Sequence, residues 1–460
     1  MKKAYVILVV ALCCLPMLLF PIAGEKASAE KRELAAFPSL FEEGRFNASF
    51  SQELDAWITD HFSFRSELIT ANNLLKATLF STSDEDQVIV GQEGWLYFAE
   101  TADDYLGQNR MSEEEIESVV SVLRLMEEYV AGRGGRFVFA VAPNKNTVYP
   151  EYMPSYYRRT QEETNLDRVT RRLAGEAYFA DLKGALLACG EQTYHARDSH
   201  WNNLGALQGY NAIMKAAGRP HETYAGEDWE WRRIWEGDLD AMIFPKLGYK
   251  DLQAVFSTEW SYTYTSNFHS EEDILITTRN EEAEGSLLVF RDSFSNALLP
   301  FLAEQYETAK FSRAVPYTLH ELETTAYTTV VVEIVERNLG NLLRQAPIMP
   351  APQRDPEETG AAAEADAVIR SRETGGYLHY YGYAEKGAEE AGRIYLRLTN
   401  GTEERLVEAF PVFEASLLEK ETEEMGKREN RAGFSAYLPL EGYGDYEVAA
   451  VLLENEDKNA

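Results

Sequence analysis

Leu287-Leu288-Val289-Phe290 is a short apolar run without the alternation of a half-exposed strand. Phe137-Val138-Phe139-Ala140-Val141 and Val330-Val331-Val332 have the same character. Strands that read this way are buried on both faces. Helical patterns lie between them, at 203–217 and 294–305. Strand and helix in alternation predict an α/β fold, a parallel sheet with helices on both faces. In such sheets, sites form at the carboxyl ends of the strands.

Outward from this centre the pattern changes. Residues 86–98 read as two short strands around Gly91-Gln92-Glu93-Gly94. Ser112 and Glu115 predict a capping box, opening a helix whose apolar face carries Ile116, Val119, Val120, Leu123 and Val130. Residues 30–85 read as a polar linker and N-terminal helices, with Leu54, Trp57, Ile58, Phe62, Leu68, Leu74 and Leu75 at helical spacing. Pro347, Pro350, Pro352, Pro356 and an Ala/Glu-rich stretch make 346–374 a predicted linker. Alternating runs and the Asn400-Gly401 turn make 375–460 a predicted small all-β sandwich. The α/β domain is expected over 86–345.

Residues 1–29 have the layout of an export segment. Lys2 and Lys3 precede an uncharged stretch over 4–23, and Ala27-Ser28-Ala29 offers a small-residue cleavage site. A cleaved signal and a retained anchor both fit, and the length of the apolar run favours the anchor. Either way the body is expected outside the cytoplasm, in the cell envelope or secreted. Of 460 residues 45% are hydrophobic, enough for a sizeable core, while 76 acidic against 44 basic residues give a net charge of −32. That balance repels phosphate backbones and argues against nucleic-acid binding. Three cysteines, two inside the N-terminal apolar run, exclude a disulfide framework.

Two clusters carry reactive side chains. In His195-Ala196-Arg197-Asp198-Ser199-His200-Trp201, extended backbone would place Asp198 and His200 on one side, about 6–7 Å apart at Cα. Asp198 then holds the Nδ1 proton of His200 and leaves Nε2 free as a base. In Phe290-Arg291-Asp292-Ser293-Phe294-Ser295, Ser293 follows a buried strand and opens a helix. That position suits a nucleophile beside backbone N–H groups. Each residue also has a plainer reading: Ser293 as an N-cap, Asp198 as a turn residue, His200 as a hydrogen-bonded half-buried histidine. A metal site from His195, Asp198, His200 and Asp292 is a further alternative, although the spacing matches no standard motif.

Asp198-Ser199-His200-Trp201 resembles the Asp-His-His-Trp signature of the DHHW proteins, with serine at the second position. Asp198-x-His200 followed by Ser293 resembles the order in the alginate O-acetylation proteins, whose SGNH-hydrolase-like fold is permuted so that Asp and His precede Ser. Val90-Gly91-Gln92-Glu93-Gly94-Trp95-Leu96-Tyr97, Ala142-Pro143-Asn144-Lys145, Gly237-Asp238-Leu239 and Glu333-Ile334-Val335-Glu336-Arg337 extend the resemblance over about residues 30–345. Arg291 departs from it, because those proteins carry glycine two residues before the serine.

The resemblance implies an extracytoplasmic O-acetyltransferase acting on an exopolysaccharide or cell-wall glycan, with Ser293 as nucleophile, His200 as base and Asp198 as orienter. It implies an acetyl-serine intermediate, no cofactor, no metal, and a membrane-embedded acyltransferase as the donor partner. Asn144 is the candidate second oxyanion donor, with a turn residue as its plainer reading. Arg291, Lys145 and Tyr149 are further oxyanion or substrate candidates. Trp201, Trp229, Trp231 and Trp235 are candidate glycan-stacking residues, against a core or interface role. The rivals are an acetyl-esterase with the same triad and a non-catalytic glycan-binding assembly protein.

Overall fold

The computed structural model describes residues 34–455 other than 43, 161–162, 226–228, 358–361, 386–390 and 415–430, together with positions 5, 6, 10, 14 and 19. The expected export segment therefore lies almost wholly outside the described residues. Among these, no helix is long and apolar enough to cross a membrane.

The apolar runs become the centre of a seven-stranded sheet. Its strands are β1 (Arg136–Ala142) and β2 (Phe179–Ala180), then, after a separate hairpin of β3 (Trp229–Trp235) and β4 (Asp251–Phe256), β5 (Thr263–Tyr264), β6 (Leu275–Arg279), β7 (Ser286–Phe290), β8 (Thr308–Ser312) and β9 (Thr329–Val335). The order is β2-β1-β9-β7-β8-β6-β5. Pairing is parallel from β2 to β8 and antiparallel at β6 and β5.

Successive side chains of a strand point to opposite faces, and here both faces are dry. Val138, Ala140, Leu287, Val289 and Val331 enter one core, packed with helices α2 (Asn203–Ala216) and α3 (Ser295–Glu304) among others. Phe137, Phe139, Leu288, Phe290, Val330 and Val332 enter a second core under helix α1 (Glu113–Ala131). A run without alternation is what two buried faces require. The Glu113–Ala131 helix starts on the expected capping box: Glu115 N–H donates to Ser112 Oγ at 3.0 Å, and Ser112 N–H donates to Glu115 Oε2 at 2.9 Å. Ile116, Val119, Leu123 and Val130 are buried, whereas Val120 is only half-buried.

The C-terminal region consists of antiparallel sheets. Strands Ala367–Thr374, Tyr377–Glu385 and Arg431–Pro439 form one. Ala391–Thr399, Glu404–Ala409 and Glu447–Asn455, with two short edge strands, form the other. Tyr380, Ile394, Leu396, Val407, Phe434 and Val451 share the core of this sandwich. The expected linker over 346–374 is corrected: Gln353–Arg354, Ala363–Ala365 and Ala367–Thr374 are strands, and Ala346, Met349 and Ala351 are buried. Proline at a sheet edge or strand start mimics a linker signal.

Candidate functional site

The carboxyl ends of β1, β7 and β9 carry Asn144, Ser293 and Glu336 along one sheet edge. Beyond Phe290 the chain turns once before α3. Asp292 shapes the turn, with Oδ1 accepting from Phe294 N–H at 2.9 Å and Oδ2 from Val335 N–H at 2.7 Å. The N-cap of α3 is Phe294, with no side-chain cap. Ser293 is thus not the cap, and its hydroxyl lies 2.8 Å from His200 Nε2.

His200 reaches this point from a loop closed by a bridge between Tyr194 and Trp201. The extended backbone expected at Asp198–His200 is instead a tight turn: Asp198 Oδ1 accepts from His200 N–H at 2.9 Å and faces His200 Nδ1 at 2.8 Å. Asp198 Oδ2 accepts from Trp235 Nε1–H at 2.9 Å and from Asp238 N–H at 3.0 Å. All four acceptor directions of the buried carboxylate are therefore used. Burial alone would raise its pKa. The hydrogen bond and charge of His200, with Trp235, outweigh burial and hold Asp198 well below the usual carboxylate range. The reciprocal shift appears on His200: burial opposes it, but Asp198, then Asp238 and Asp292, raise its pKa above the ordinary imidazole value.

A second carboxylate stands behind the ring. Asp238 Oδ2 is 3.8 Å from His200 Nδ1. It also accepts from Ser199 Oγ–H at 2.5 Å, and Ser199 Oγ sits 3.1 Å from His200 Nδ1. Burial and the nearby Asp198 charge raise the Asp238 pKa. Gly237 is required beside it, because a Cβ there would lie 2.1 Å from the Arg197 carbonyl oxygen. Asp198, His200 and Asp238 offer atoms within 4.8 Å of one another, close enough for a cation. Both His200 nitrogens, however, already face Asp198 and Ser293. The four-residue metal set is corrected: His195 faces the Leu252 carbonyl at 2.8 Å and stacks on Trp235, and Asp292 accepts backbone N–H groups.

Around the triad lies a cavity of about 630 Å³. Its lining includes the aromatic rings of Trp235, Phe256, Trp260 and Phe301 and the carboxylates of Glu236, Asp238, Glu271 and Glu272. Asn144, Lys145, Tyr149 and Arg291 do not line it. Asn144 is a correction: its amide donates to Asp104 Oδ2 at 2.9 Å and its backbone N–H to Glu336 Oε2 at 2.8 Å. Lys145 is buried and donates to the carbonyls of His195, Ala196 and Asp198 at 3.1, 3.1 and 2.6 Å, clamping the histidine loop from behind. Burial pulls its pKa down to about 8. The Tyr149 hydroxyl accepts from Thr193 N–H at 2.8 Å, holding the base of that loop. Arg291 donates to the carbonyls of Glu271 and Asp273 at 2.6 and 3.1 Å and to Asn296 Oδ1 at 2.5 Å. These four residues build the site rather than face a substrate.

The tryptophans divide. Trp201 is 2% exposed and donates from Nε1 to the Phe294 carbonyl at 3.0 Å, tying the histidine loop to the serine turn. Trp229 and Trp231 pack edge-to-face at 5.2 Å against the core and do not line the cavity. Trp235 is 38% exposed and lines it. Its bond to Asp198 escaped the sequence reading, because 37 positions separate the two and only the β3–β4 hairpin brings them together.

A strand-to-helix serine faces a carboxylate-braced imidazole at the edge of a parallel sheet, the arrangement of a Ser-His-Asp triad. Residues 88–282 match the family described as the SGNH hydrolase-like domain of the acetyltransferase AlgX. The matched segment includes Asp198 and His200 and ends before Ser293. A curated relative, the probable alginate O-acetylase AlgJ of Pseudomonas syringae pv. tomato, is 23% identical over 180 residues. That similarity covers 38% of this chain and 44% of the relative, so less than half of the relative's length is spanned. Among solved structures, Bacillus cereus PatB1 has a TM-score of 0.43 at 15% identity, covering 55% of this chain and 96% of that one. A DHHW family protein from Eubacterium siraeum DSM 15702 has a TM-score of 0.42 at 17% identity, covering 56% and 93%.

Proposed function

We propose that the chain is an extracytoplasmic O-acetyltransferase that moves an acetyl group onto a polysaccharide hydroxyl through an acetyl-serine intermediate. The observation that carries this reading is the continuous chain of contacts from Asp198 through His200 to Ser293, 2.8 Å at each step. A serine hydroxyl is a weak nucleophile until a base takes its proton. His200 Nε2 accepts that proton as Ser293 Oγ attacks the carbonyl carbon of an acetyl donor. The raised pKa of His200 suits it to hold the proton until the leaving group takes it. In the second half, Nε2 takes the proton of the acceptor hydroxyl, that oxygen attacks the acetyl-serine carbonyl, and Ser293 Oγ leaves with the proton. The Ser293 backbone N–H, in the turn before α3, is the donor this reading assigns to the oxyanion.

The acetyl donor comes from a membrane-embedded acyltransferase in this reading, and residues 1–29 keep or deliver the domain outside the cytoplasm. The AlgX-type domain and the AlgJ relative support the acetylation chemistry. The test is turnover of an aryl acetate with and without an oligosaccharide acceptor. The expected result is acetylated oligosaccharide with the natural chain and loss of all turnover in Ser293→Ala, with unchanged thermal unfolding because Ser293 lies half-buried at the sheet edge. Hydrolysis indifferent to every acceptor makes the protein an esterase instead. Full turnover in Ser293→Ala removes Ser293 as the nucleophile and, with it, the acetyl-serine intermediate.

A further inference from the structure

We propose, resting on the acetyl-transfer reading above, that the acceptor entering the Ser293 cavity is a glycan free of carboxylates and other anionic groups, either neutral or amino-bearing. The lining decides this. Recognition of uronate sugars uses guanidinium or ammonium groups, and among the described residues no lysine or arginine lines this cavity. Five carboxylates do: Asp198, which braces His200, and Glu236, Asp238, Glu271 and Glu272. The cations just outside are held by two of these carboxylates, which they partly neutralise, or by backbone carbonyls. Lys250 pairs with Glu236, Arg313 pairs with Glu272, and Arg291 is buried on the Glu271 and Asp273 carbonyls. The net charge of −32 adds a field of the same sign. The lining also includes Trp235, Phe256, Trp260 and Phe301, whose rings offer apolar surface on which a sugar can stack without any charge on the sugar.

The test offers an aryl acetate donor and three acceptors of matched length, a neutral β-linked glucan oligomer, a glucosamine oligomer and an oligouronate, at low and at raised ionic strength. Acetylated product is quantified by mass spectrometry and donor consumption is followed separately. The expected kcat/KM for the oligouronate is lower by about tenfold or more at low salt, and the gap narrows as salt screens the carboxylates. The double variant Glu236→Gln/Glu271→Gln narrows it as well. A glucosamine advantage that fades with salt identifies an amino glycan, and equal use of both identifies a neutral one. An oligouronate accepted as well as the others overturns the proposal, as does a gap unmoved by both salt and the variant. Donor consumption without transfer to any acceptor also overturns it, whereas no donor consumption at all defeats the acetyl-transfer reading itself.

Discussion

Asp198 is the residue on which the site turns, because each of its oxygens accepts two hydrogen bonds while water is excluded. It braces His200, and Trp235 in turn draws charge from it. The two partners therefore have opposite effects on the pH profile. Asp198→Asn removes the anion that raises the His200 pKa. The acid limb of ester turnover then moves to lower pH, and kcat falls by a factor on the order of 10⁴ as the imidazole loses its tautomer. Trp235→Phe keeps the ring but removes an N–H from the carboxylate. The unshared charge strengthens the field on His200, so the acid limb moves to higher pH, with kcat lower by about tenfold. pH–rate profiles of both variants check this, and shifts of the same sign would refute the account. Asp198, His200 and Ser293 were legible in the sequence because reactive residue types cluster there. The bond from Trp235 to Asp198 was not, since a donor to a buried carboxylate has no local signature.

At the scale of elements, the carboxyl ends of β1 and β9 show how a turn can mislead. Asn144 follows a parallel strand at the right edge, as an oxyanion donor would. Its backbone instead caps Glu336 at the end of β9, and its amide goes to Asp104. Glu336 is 1% exposed, and burial together with the Asp104 charge pushes its pKa from 4.5 to about 7. A carboxyl raised in this way carries no penalty below 4.5, where folded and unfolded chains are both protonated. Stability is lost as pH rises through about 7, where the folded state must ionise a buried group. Glu336→Gln keeps the acceptor for Asn144 N–H and removes the charge. Its stability relative to the natural chain should be greater at pH 8 than at pH 4.5 by about 3 kcal/mol, read from denaturant melts. An equal difference at both pH values would show that Glu336 is not buried as a charge.

Across the whole molecule, the β-sandwich is built into the α/β body rather than tethered to it. Tyr377, Phe410, Val412 and Tyr437 share a core with the Glu113–Ala131 helix. Glu408, 2% exposed on its side chain, pairs with Arg124 of that helix and with Arg354, and Arg354 also takes Glu128 at 2.5 and 2.6 Å. A shared core predicts one cooperative unfolding transition. Removing Glu408 leaves two guanidinium groups facing a partly desolvated gap. Glu408→Ala should cost about 3 kcal/mol in chemical denaturation, with aryl acetate turnover unaffected because none of these residues lines the Ser293 cavity. Two separate transitions in the natural chain would show that the regions fold independently.

What the sequence determined alone is what neighbours along the chain decide. An apolar run without alternation must be covered on both faces, Ser112 and Glu115 cap a helix within one turn, and Asn400-Gly401 closes a hairpin. Tertiary structure decided the meetings of distant residues: His200 with Ser293 across 93 positions, Trp235 with Asp198 across 37, and Gln353–Arg354, Ala363–Ala365 and Ala367–Thr374 paired into sheets. Such meetings depend on how two-sided strands, loops and a hairpin pack around one sheet edge. A hydrogen bond between side chains leaves no periodic trace in sequence, whereas burial of a strand or helix face does.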